Sequence, residues 1–570
     1  MRAPFVVLSA PVVMLSEAKH PPLEMLRFAQ HDKSCRPAPA CGRRSPFPIP
    51  QQVTTANWQL ATVYAILSPV SGPLGFALSF RVRIKQPDNP QIETELSSMT
   101  DRGIRLLQRL VFYTDPCDLA GELEALRAEQ KAIAATSDAA KAEAVELLAE
   151  SAIDLCSVMA DWHLKDTDRH GDLALTDEAL KAEADASLAI VEELGAKDVA
   201  DAARAKIEKI KNSNLAKLTR MSMAGECNTW WGNDFASGLR ESMRYGAAMC
   251  TTNPQLVNIA REENPEYWTP IRDQLQARYP DYTPTQLAYA MTIEVVLFNA
   301  RLLRPIWELT AGAMGYCSLQ LSPKEAFNAQ SMIEEGKWVW QQLTCGLDGT
   351  PNCVFKLPGT KAGIEACQEL TNCCMGVNIT VNFSLPQQIA FAGAIEAYSN
   401  TPVSYHTQMD GRLDDPIGEE LKAAGVEDWE EVKTWATTVI RQREYKLLCL
   451  PPTEGGLGFT QSIPLPASGR GPWNIDRSIT SGPVPIFLTV FPPRQEEYDA
   501  VPREINPEGM WAPVPEGYME KLYKSELFRK AYEPDGMTVE EFDTYPPVVK
   551  TLTGFSEQYD KFVEWVSAKS

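Results

Sequence analysis

The residue best suited to covalent chemistry is Lys356, which stands in the middle of the apolar run NCVFKLPGT. This run is typical of a buried β-strand, where a charged ammonium is costly unless it is paired or neutral. Desolvation lowers the pKa of an amine, and a neutral amine can attack a carbonyl carbon to form a Schiff base. The spacing alone leaves a second interpretation equally open, in which the lysine lies at a strand end and reaches solvent or a carboxylate.

Composition narrows the classes of partner. The chain has 570 residues with 54 Lys and Arg against 75 Asp and Glu, a net charge of −21. This acid excess argues against a nucleic-acid groove or an anionic membrane surface as a partner, whereas a few placed arginines could still bind a small anion. The 13 cysteines include no CxxC pair and the five histidines are scattered. We therefore expect no metal site and no cofactor, reduced thiols and a cytoplasmic location.

The elements that must position Lys356 predict an α/β fold. From residue 216 to 495, short runs of small and β-branched residues alternate with amphipathic stretches, which is the pattern of a (β/α)₈ TIM-type barrel. The eight predicted strands are 221–231, 247–251, 315–321, 352–357, 376–382, 402–405, 446–450 and 484–490. In such a barrel the chemistry lies at the carboxyl ends of the strands.

The flanking segments have different characters. Residues 98–215 are rich in Ala, Glu and Lys and predict a helical region, and residues 496–570 predict a helical cap that packs on the barrel. We expect residues 1–50 to be disordered or a misassigned start, and we leave residues 51–97 unassigned. The apolar run at 60–80 is long enough to span a bilayer, but its prolines and glycines favour a buried or poorly ordered segment.

Three blocks in order along the predicted barrel resemble the signatures of the transaldolase family, within the class I Schiff-base aldolases. They are TTNP at 251–254, FKLPGTKAGIEAC at 355–367, with the lysine in register, and GVNITVNFS at 376–384. The resemblance implies a cofactor-free barrel that transfers a dihydroxyacetone unit between sugar phosphates in the pentose phosphate pathway. It also implies a homodimer. It does not cover residues 1–215.

The resemblance assigns roles to residues near the strand ends. Lys356 would form the Schiff base, and Asp234 would remove the hydroxyl proton during carbon–carbon cleavage. Asn253 would hold the substrate hydroxyls, and Thr380 with Asn378 would position a water that shuttles protons. These roles match the chemistry, since retro-aldol cleavage needs an imine that accepts electrons and a carboxylate that moves a proton.

The phosphate would be held by arginines, whose planar forks match its oxygens. The resemblance places Arg412 and Arg470 there, and it puts Thr407 where the family usually has a serine. The residues alone leave other interpretations open. Arg412 could instead pair with Asp414 or Asp415, and Arg470 could be an ordinary loop arginine.

The remaining candidates also have structural alternatives. Asp234 precedes FAS and could cap the amino terminus of a helix. Asn253 and Thr380 could be polar strand ends whose hydrogen bonds are satisfied locally.

One position departs from the family pattern. Gln320 in SLQLSP stands where the best-known members have a glutamate, and a glutamine cannot act as a general base. Members that resemble fructose-6-phosphate aldolase share the glutamine, so cleavage without transfer is an alternative function. A third hypothesis is a sugar-phosphate-binding pseudoenzyme with residues 98–215 as its interaction module. The joint presence of Lys356, Asp234 and Asn253 argues against that third hypothesis.

Overall fold

The computed structural model describes residues 99–568, with side chains described from residue 102 onward. The predictions for residues 1–50, for residues 51–97 and for the apolar run at 60–80 lie outside the described residues. Within residues 99–568, no helix combines the length and the apolar character that a membrane span requires.

Within the described residues, eight α-helices precede the first strand. Ala, Glu and Lys have high helix propensity, and short polar side chains such as Ser137, Thr176 and Ser213 accept hydrogen bonds at the helix amino termini. The helices are α1 Met99–Tyr113, α2 Leu119–Ala134, α3 Asp138–Leu155, α4 Val158–Asp161, α5 Thr167–His170, α6 Asp177–Glu193, α7 Lys197–Lys211 and α8 Asn214–Met223.

Eight parallel strands then form a nearly closed barrel in the order β7-β6-β5-β4-β3-β2-β1-β8. This arrangement confirms the predicted (β/α)₈ fold class. The strands are β1 Thr229–Asn233, β2 Met249–Thr251, β3 Tyr316–Gln320, β4 Cys353–Pro358, β5 Val377–Thr380, β6 Tyr405–Met409, β7 Ile463–Ala467 and β8 Ile486–Val490.

The prediction of a strand at 446–450 was wrong. Lys446 lies in a helix that ends at Leu448, and the seventh strand is Ile463–Ala467, whose sequence IPLPA has a proline at every second position. Ile463 donates its N–H to Ser404 of the neighbouring segment at 2.9 Å. The two prolines therefore face the other side, where they have no N–H to give. This explains why no ladder joins β7 to β8 within the described residues, although the two strands lie side by side.

Two further predicted strands were misplaced. Most of the run 221–231 is the end of α8 and a turn, and β1 begins only at Thr229. The run 402–405 meets β6 only at Tyr405.

Helices connect the strands and cover the barrel. They are α9 Leu239–Arg244, α10 Pro254–Glu263, α11 Pro265–Arg278, α12 Pro284–Leu309, α13 Ala329–Leu347, α14 Lys361–Asn372, α15 Leu385–Tyr398, α16 Asp410–Ala423, α17 Trp429–Val432, α18 Ala436–Leu448 and α19 Pro472–Asp476. The chain after β8 adds α20 Pro492–Asp499, α21 Tyr518–Leu522, α22 Glu526–Tyr532 and α23 Pro546–Ser567. Helix α23 packs on α10 and α12, beside the carboxyl ends of the strands.

The amino-terminal helices pack against β1 and α9 of the barrel. Trp162, just after α4, stacks on Trp230 near the start of β1 with ring centroids 5.6 Å apart. Asp154 of α3 is fully buried and pairs with Arg240 and Arg244 of α9 at 2.5 and 2.8 Å. Because a buried carboxylate needs such partners, these contacts fix the helical region to the barrel.

Candidate active site

A cavity of about 690 Å³ opens at the carboxyl ends of the strands. This is the end of the barrel at which the fold predicts the active site. Of the predicted site residues, the ones that line it are Asp234, Asn253, Lys356, Asn378, Thr380, Thr407, Arg412 and Arg470. The structure therefore brings together candidates that lie in, or shortly after, six different strands.

Lys356 enters the cavity from β4, whose residues before Pro358 are all buried. Its side chain is 7% exposed and forms no ion pair or hydrogen bond with any described residue. Burial lowers the pKa of this lysine below its ordinary value; Asp234 and the thiols of Cys250 and Cys317 oppose that shift, and Arg412 adds to it. The interpretation in which Lys356 reaches solvent or pairs directly with a carboxylate is thus wrong. A lysine with a lowered pKa has more of the neutral amine that attacks carbonyls.

Asp234 follows β1 and is half-buried. Its Oδ1 accepts a hydrogen bond from Thr251 Oγ1 at 2.5 Å, and its backbone N–H donates to Val490 O at 3.2 Å. Helix α9 begins later, with Gly238 at its amino-terminal cap, so the alternative of a helix-capping aspartate is wrong. The carboxylate is held at the cavity wall, where it can exchange protons with a bound molecule.

Three polar side chains, those of Asn253, Asn378 and Thr407, line the cavity together with the lysine. Asn253 caps α10, because its Oδ1 accepts from Leu256 N at 2.9 Å, and its amide group also lines the cavity. Asn378 Oδ1 accepts from Thr407 Oγ1 at 2.6 Å, which leaves its Nδ2 buried without a partner among the described residues. An unpartnered buried donor is costly, so it marks a place for a ligand oxygen or a water.

Gln320 is the one predicted site residue that does not line the cavity. It ends β3 in register with Lys356, so the two side chains emerge on neighbouring strands. Its Oε1 is buried and has no hydrogen-bond partner among residues 102–568. Thr380 lines the cavity on the other side, with its hydroxyl 3.9 Å from the sulfur of Met409.

The two predicted arginines have different surroundings. Arg412 forms no ion pair with Asp414 or Asp415, so that alternative is wrong, and its guanidinium lies 5.2 Å from the ring centre of Phe555. Arg470 is exposed, and its Nε pairs with Asp415 at 3.0 Å. Arg412 is therefore the cation that stays available to an anionic ligand, while Arg470 is shared with a carboxylate.

Sequence reasoning missed the wall that the C-terminal helix supplies. The cavity is also lined by Pro546, Pro547, Lys550, Thr551 and Phe555 of α23. No motif marks these residues, because their role depends on how α23 crosses the barrel mouth. Only the proline pair that starts the helix was a signal of its position.

Ser468 and Arg494 are two further lining residues that were missed. Ser468 directly follows β7 and has a φ of 59°, a conformation that is strained for a side chain other than glycine. Such strain is often retained where backbone or side-chain groups must face a ligand. The SGRG sequence around it was the available signal.

The part of the chain that the structure describes contains no candidate metal site. Within residues 102–568, no three His, Cys, Asp or Glu side chains are grouped so that they could hold an ion. The eleven cysteines of this part are free thiols.

Comparison with known proteins gives a consistent picture for part of the chain. Residues 238–444 match the family model described as Transaldolase/Fructose-6-phosphate aldolase. A transaldolase from Thiobacillus denitrificans is 30% identical over 142 residues, which cover 25% of this chain and 37% of that protein. A transaldolase from Neisseria meningitidis is 26% identical over 219 residues, covering 34% and 60%. Transaldolase 1 from Streptomyces avermitilis is 29% identical over 193 residues, covering 32% and 49%. The chain thus spans less than two thirds of each of these relatives.

Proposed function

We propose that this chain, whose residues 238–444 match the Transaldolase/Fructose-6-phosphate aldolase family model, transfers a dihydroxyacetone unit between sugar phosphates through a Schiff base on Lys356. The observation that carries the proposal is the environment of this amine. It is buried, free of any direct ion pair among the described residues, and shares one cavity with Asp234, Arg412 and Arg470. Its lowered pKa favours the nucleophilic form.

The reaction begins when the neutral amine of Lys356 adds to the ketone carbon of a ketose phosphate and water leaves. Asp234 then takes the proton of the C4 hydroxyl while the C3–C4 bond breaks. The electron pair of that bond moves into the iminium, which becomes an enamine, and an aldose phosphate departs. The enamine attacks the aldehyde carbon of a second aldose phosphate, Asp234 returns the proton to the new hydroxyl, and water releases the product from the lysine.

Substrate placement follows from the remaining side chains. The unpartnered amide of Asn378 and the amide of Asn253 suit the hydroxyls of the sugar. Arg412, with Ser468 and Arg470, suits the terminal phosphate, because arginine pairs with phosphate oxygens through two parallel hydrogen bonds. Remote binding of the phosphate would then orient the reacting carbons against Lys356.

Gln320 favours a second candidate, an aldolase that cleaves a ketose phosphate without transfer. Family members that resemble fructose-6-phosphate aldolase share this glutamine, which cannot act as a general base. The two reactions share every step up to the enamine, so they differ only in what then reacts with it. For either reaction, the identity of the sugar phosphates is part of the proposal.

Borohydride reduction in the presence of fructose 6-phosphate tests the chemistry. Wild type is expected to gain a stable adduct on Lys356, and Lys356→Ala is expected to gain none. Lys361→Ala is the matched control, because this lysine lies only five positions later and pairs at the surface with Glu540. If wild type traps no adduct at millimolar substrate, the pseudoenzyme hypothesis replaces the proposal.

Turnover with and without erythrose 4-phosphate separates the two reactions. Transfer requires the acceptor, so product is expected only when it is present. Product formation that does not depend on the acceptor would assign the cleavage reaction instead.

A further inference from the structure

A buried charge pair lies behind the two arginines of the proposed phosphate site. Arg441 of α18 donates from Nη1 to both carboxylate oxygens of Asp410, at 2.9 and 3.1 Å, and both side chains are 1% exposed. Asp410 is the first residue of α16, two positions before Arg412. The pair therefore fixes the start of the helix that carries Arg412.

Asn474 connects this pair to the second arginine-bearing segment. Its Nδ2 donates to Asp410 Oδ2 at 3.0 Å. Its Oδ1 accepts from the backbone N–H groups of Arg470 and Gly471, at 2.8 and 3.2 Å. The side chain is 4% exposed, so these three hydrogen bonds are shielded from water.

Two more contacts join the same segments. The backbone N–H of Gly411 donates to Ser468 O at 3.1 Å, and Arg470 Nε pairs with Asp415 at 3.0 Å. A methyl group at Gly411 would lie 2.5 Å from Arg470 Nε, so the arginine side chain packs directly on the first turn of α16. The loop after β7 and the start of α16 are thus held as one unit.

The pair is poorly arranged for stability alone. Arg441 Nε and Nη2 are buried and have no partner among the described residues. Removing an ion pair from water is costly, and unsatisfied donors add to that cost. An apolar contact of the same size would serve stability as well or better, which indicates that position is what the pair provides.

We propose that Asn474 and Asp410 are positioning residues, which hold the segments of Arg412 and Arg470 at the separation that a sugar phosphate requires. This inference rests on the proposed function, since it identifies what sets the phosphate affinity of the same site. Neither residue touches the phosphate in this role. Asn474 acts through the backbone of Arg470, and Asp410 acts through the start of α16.

Calorimetric titration with inorganic phosphate tests the inference without any turnover. Wild type is expected to bind phosphate, and Asn474→Ala is expected to bind it about tenfold more weakly, the effect of losing one to two buried hydrogen bonds. With fructose 6-phosphate, the KM of this variant should rise by a similar factor while kcat changes by less than about twofold. Phosphate affinity equal to that of wild type would overturn the inference, as would a wild type that binds no phosphate.

Asn352→Ala is the matched control. This asparagine is also fully buried and also bridges backbone segments, donating to Ala300 O at 2.9 Å and Gly315 O at 2.7 Å near the opposite end of the barrel. It should lose stability but keep its phosphate affinity. An equal loss of phosphate affinity in both variants would show a general structural effect and overturn the inference.

An isosteric pair keeps the test valid if Asn474→Ala does not fold. Asn474→Asp preserves the side-chain volume but places a second carboxylate beside Asp410, so phosphate binding should weaken again. The exchange Asp410→Asn with Asn474→Asp restores one amide and one carboxylate, and it should recover most of the affinity. Failure of the exchange to recover any affinity contradicts the inference. Phosphate binding that follows these predictions in a protein that traps no adduct would refute only the proposed function.

Discussion

Lys356 and Asp234 line the same cavity from β4 and the end of β1, yet no direct ion pair joins them. The carboxylate still acts on the amine through space, because it raises the pKa that burial lowers. In the proposed reaction, the substrate would lie between this carboxylate and this amine. The separation of the two groups also makes the pKa of the amine adjustable by its neighbours.

The rate of borohydride trapping should therefore depend on pH, and two variants should shift this pH profile in opposite directions. Asp234→Asn removes a charge that raises the pKa of Lys356, so the profile should move to lower pH. Arg412→Gln removes a charge that lowers this pKa, so the profile should move to higher pH. We expect each shift to be less than about one pH unit, since neither group contacts the amine. Shifts in the same direction would contradict this electrostatic account.

Gln320→Glu should increase transfer relative to cleavage. The new carboxylate would stand beside Lys356 on the neighbouring strand, where it could serve as a general base. We expect the ratio of the two products to change by about tenfold, at the lower end of what general bases contribute. Gln255→Glu adds the same charge to the cavity from α10 and should leave the ratio unchanged. An unchanged ratio in Gln320→Glu would show that this position does not control the outcome.

Gly411→Ala should weaken sugar-phosphate binding without a matching loss of stability. The added methyl group would lie 2.5 Å from Arg470 Nε, so this side chain must move away from Asp415. Alanine also favours a helix over glycine by about 1 kcal/mol. We expect a several-fold rise in KM, measured beside the urea midpoint. Gly393→Ala in α15, where a methyl group meets open space, is the control. Wild-type KM in Gly411→Ala would count against the packing described.

Glu335 should make stability depend on pH near neutrality. Burial raises the pKa of this carboxyl to about 7, although it accepts hydrogen bonds from Tyr289 Oη and Ser322 N. Because the unfolded chain ionises this group near pH 4.5 and the folded chain does not, the free energy of unfolding falls as pH rises from about 4.5 to 7. The fall is on the order of 3 kcal/mol.

Glu335→Gln should remove this part of the pH dependence, since a glutamine can accept the same hydrogen bonds without ionising. Urea unfolding at pH 5 and pH 8 measures the difference. Glu334→Gln, on the partly exposed side of the same helix, should behave like wild type. Parallel pH curves for wild type and Glu335→Gln would refute the assignment.

Asp154→Ala should destabilise the protein by about 3–5 kcal/mol, because it leaves two guanidiniums of α9 without their buried partner. Glu192→Ala is the control. It removes a surface pair with Arg204 at 2.7 Å, whose loss should cost less than about 1 kcal/mol. Chemical denaturation of both variants measures the contrast, and equal losses would show that the buried network is not what fixes the helices to the barrel.

The sequence predicted the residues of the candidate site better than it predicted the elements around them. Thr251, Lys356 and Thr380 lie in strands that local sequence patterns predict, and strand alternation fixes where their side chains point. The strand with Pro464 and Pro466 was missed because proline has a low strand propensity. These prolines are tolerated because β7 forms no hydrogen-bond ladder with β8 among the described residues. Only the position of the neighbouring strand β8 shows that this proline-containing segment can be a strand.

Long-range contacts account for the other omissions. Phe555 reaches Arg412 only because α23 crosses the mouth of the barrel. The bridge from Asn474 to Asp410 joins residues 64 positions apart, and no local pattern marks either end. Propensity and spacing describe neighbours in the chain, so contacts of this kind need coordinates.

The stacked indoles of Trp162 and Trp230 have a consequence for how such a chain can be recombined. A fragment that carried only the strands and their connecting helices would expose one indole to water and remove Asp154 from Arg240 and Arg244. The leading helices are therefore not a detachable appendage. Any transplant of this catalytic scaffold, in evolution or in the laboratory, has to carry them along as its foundation.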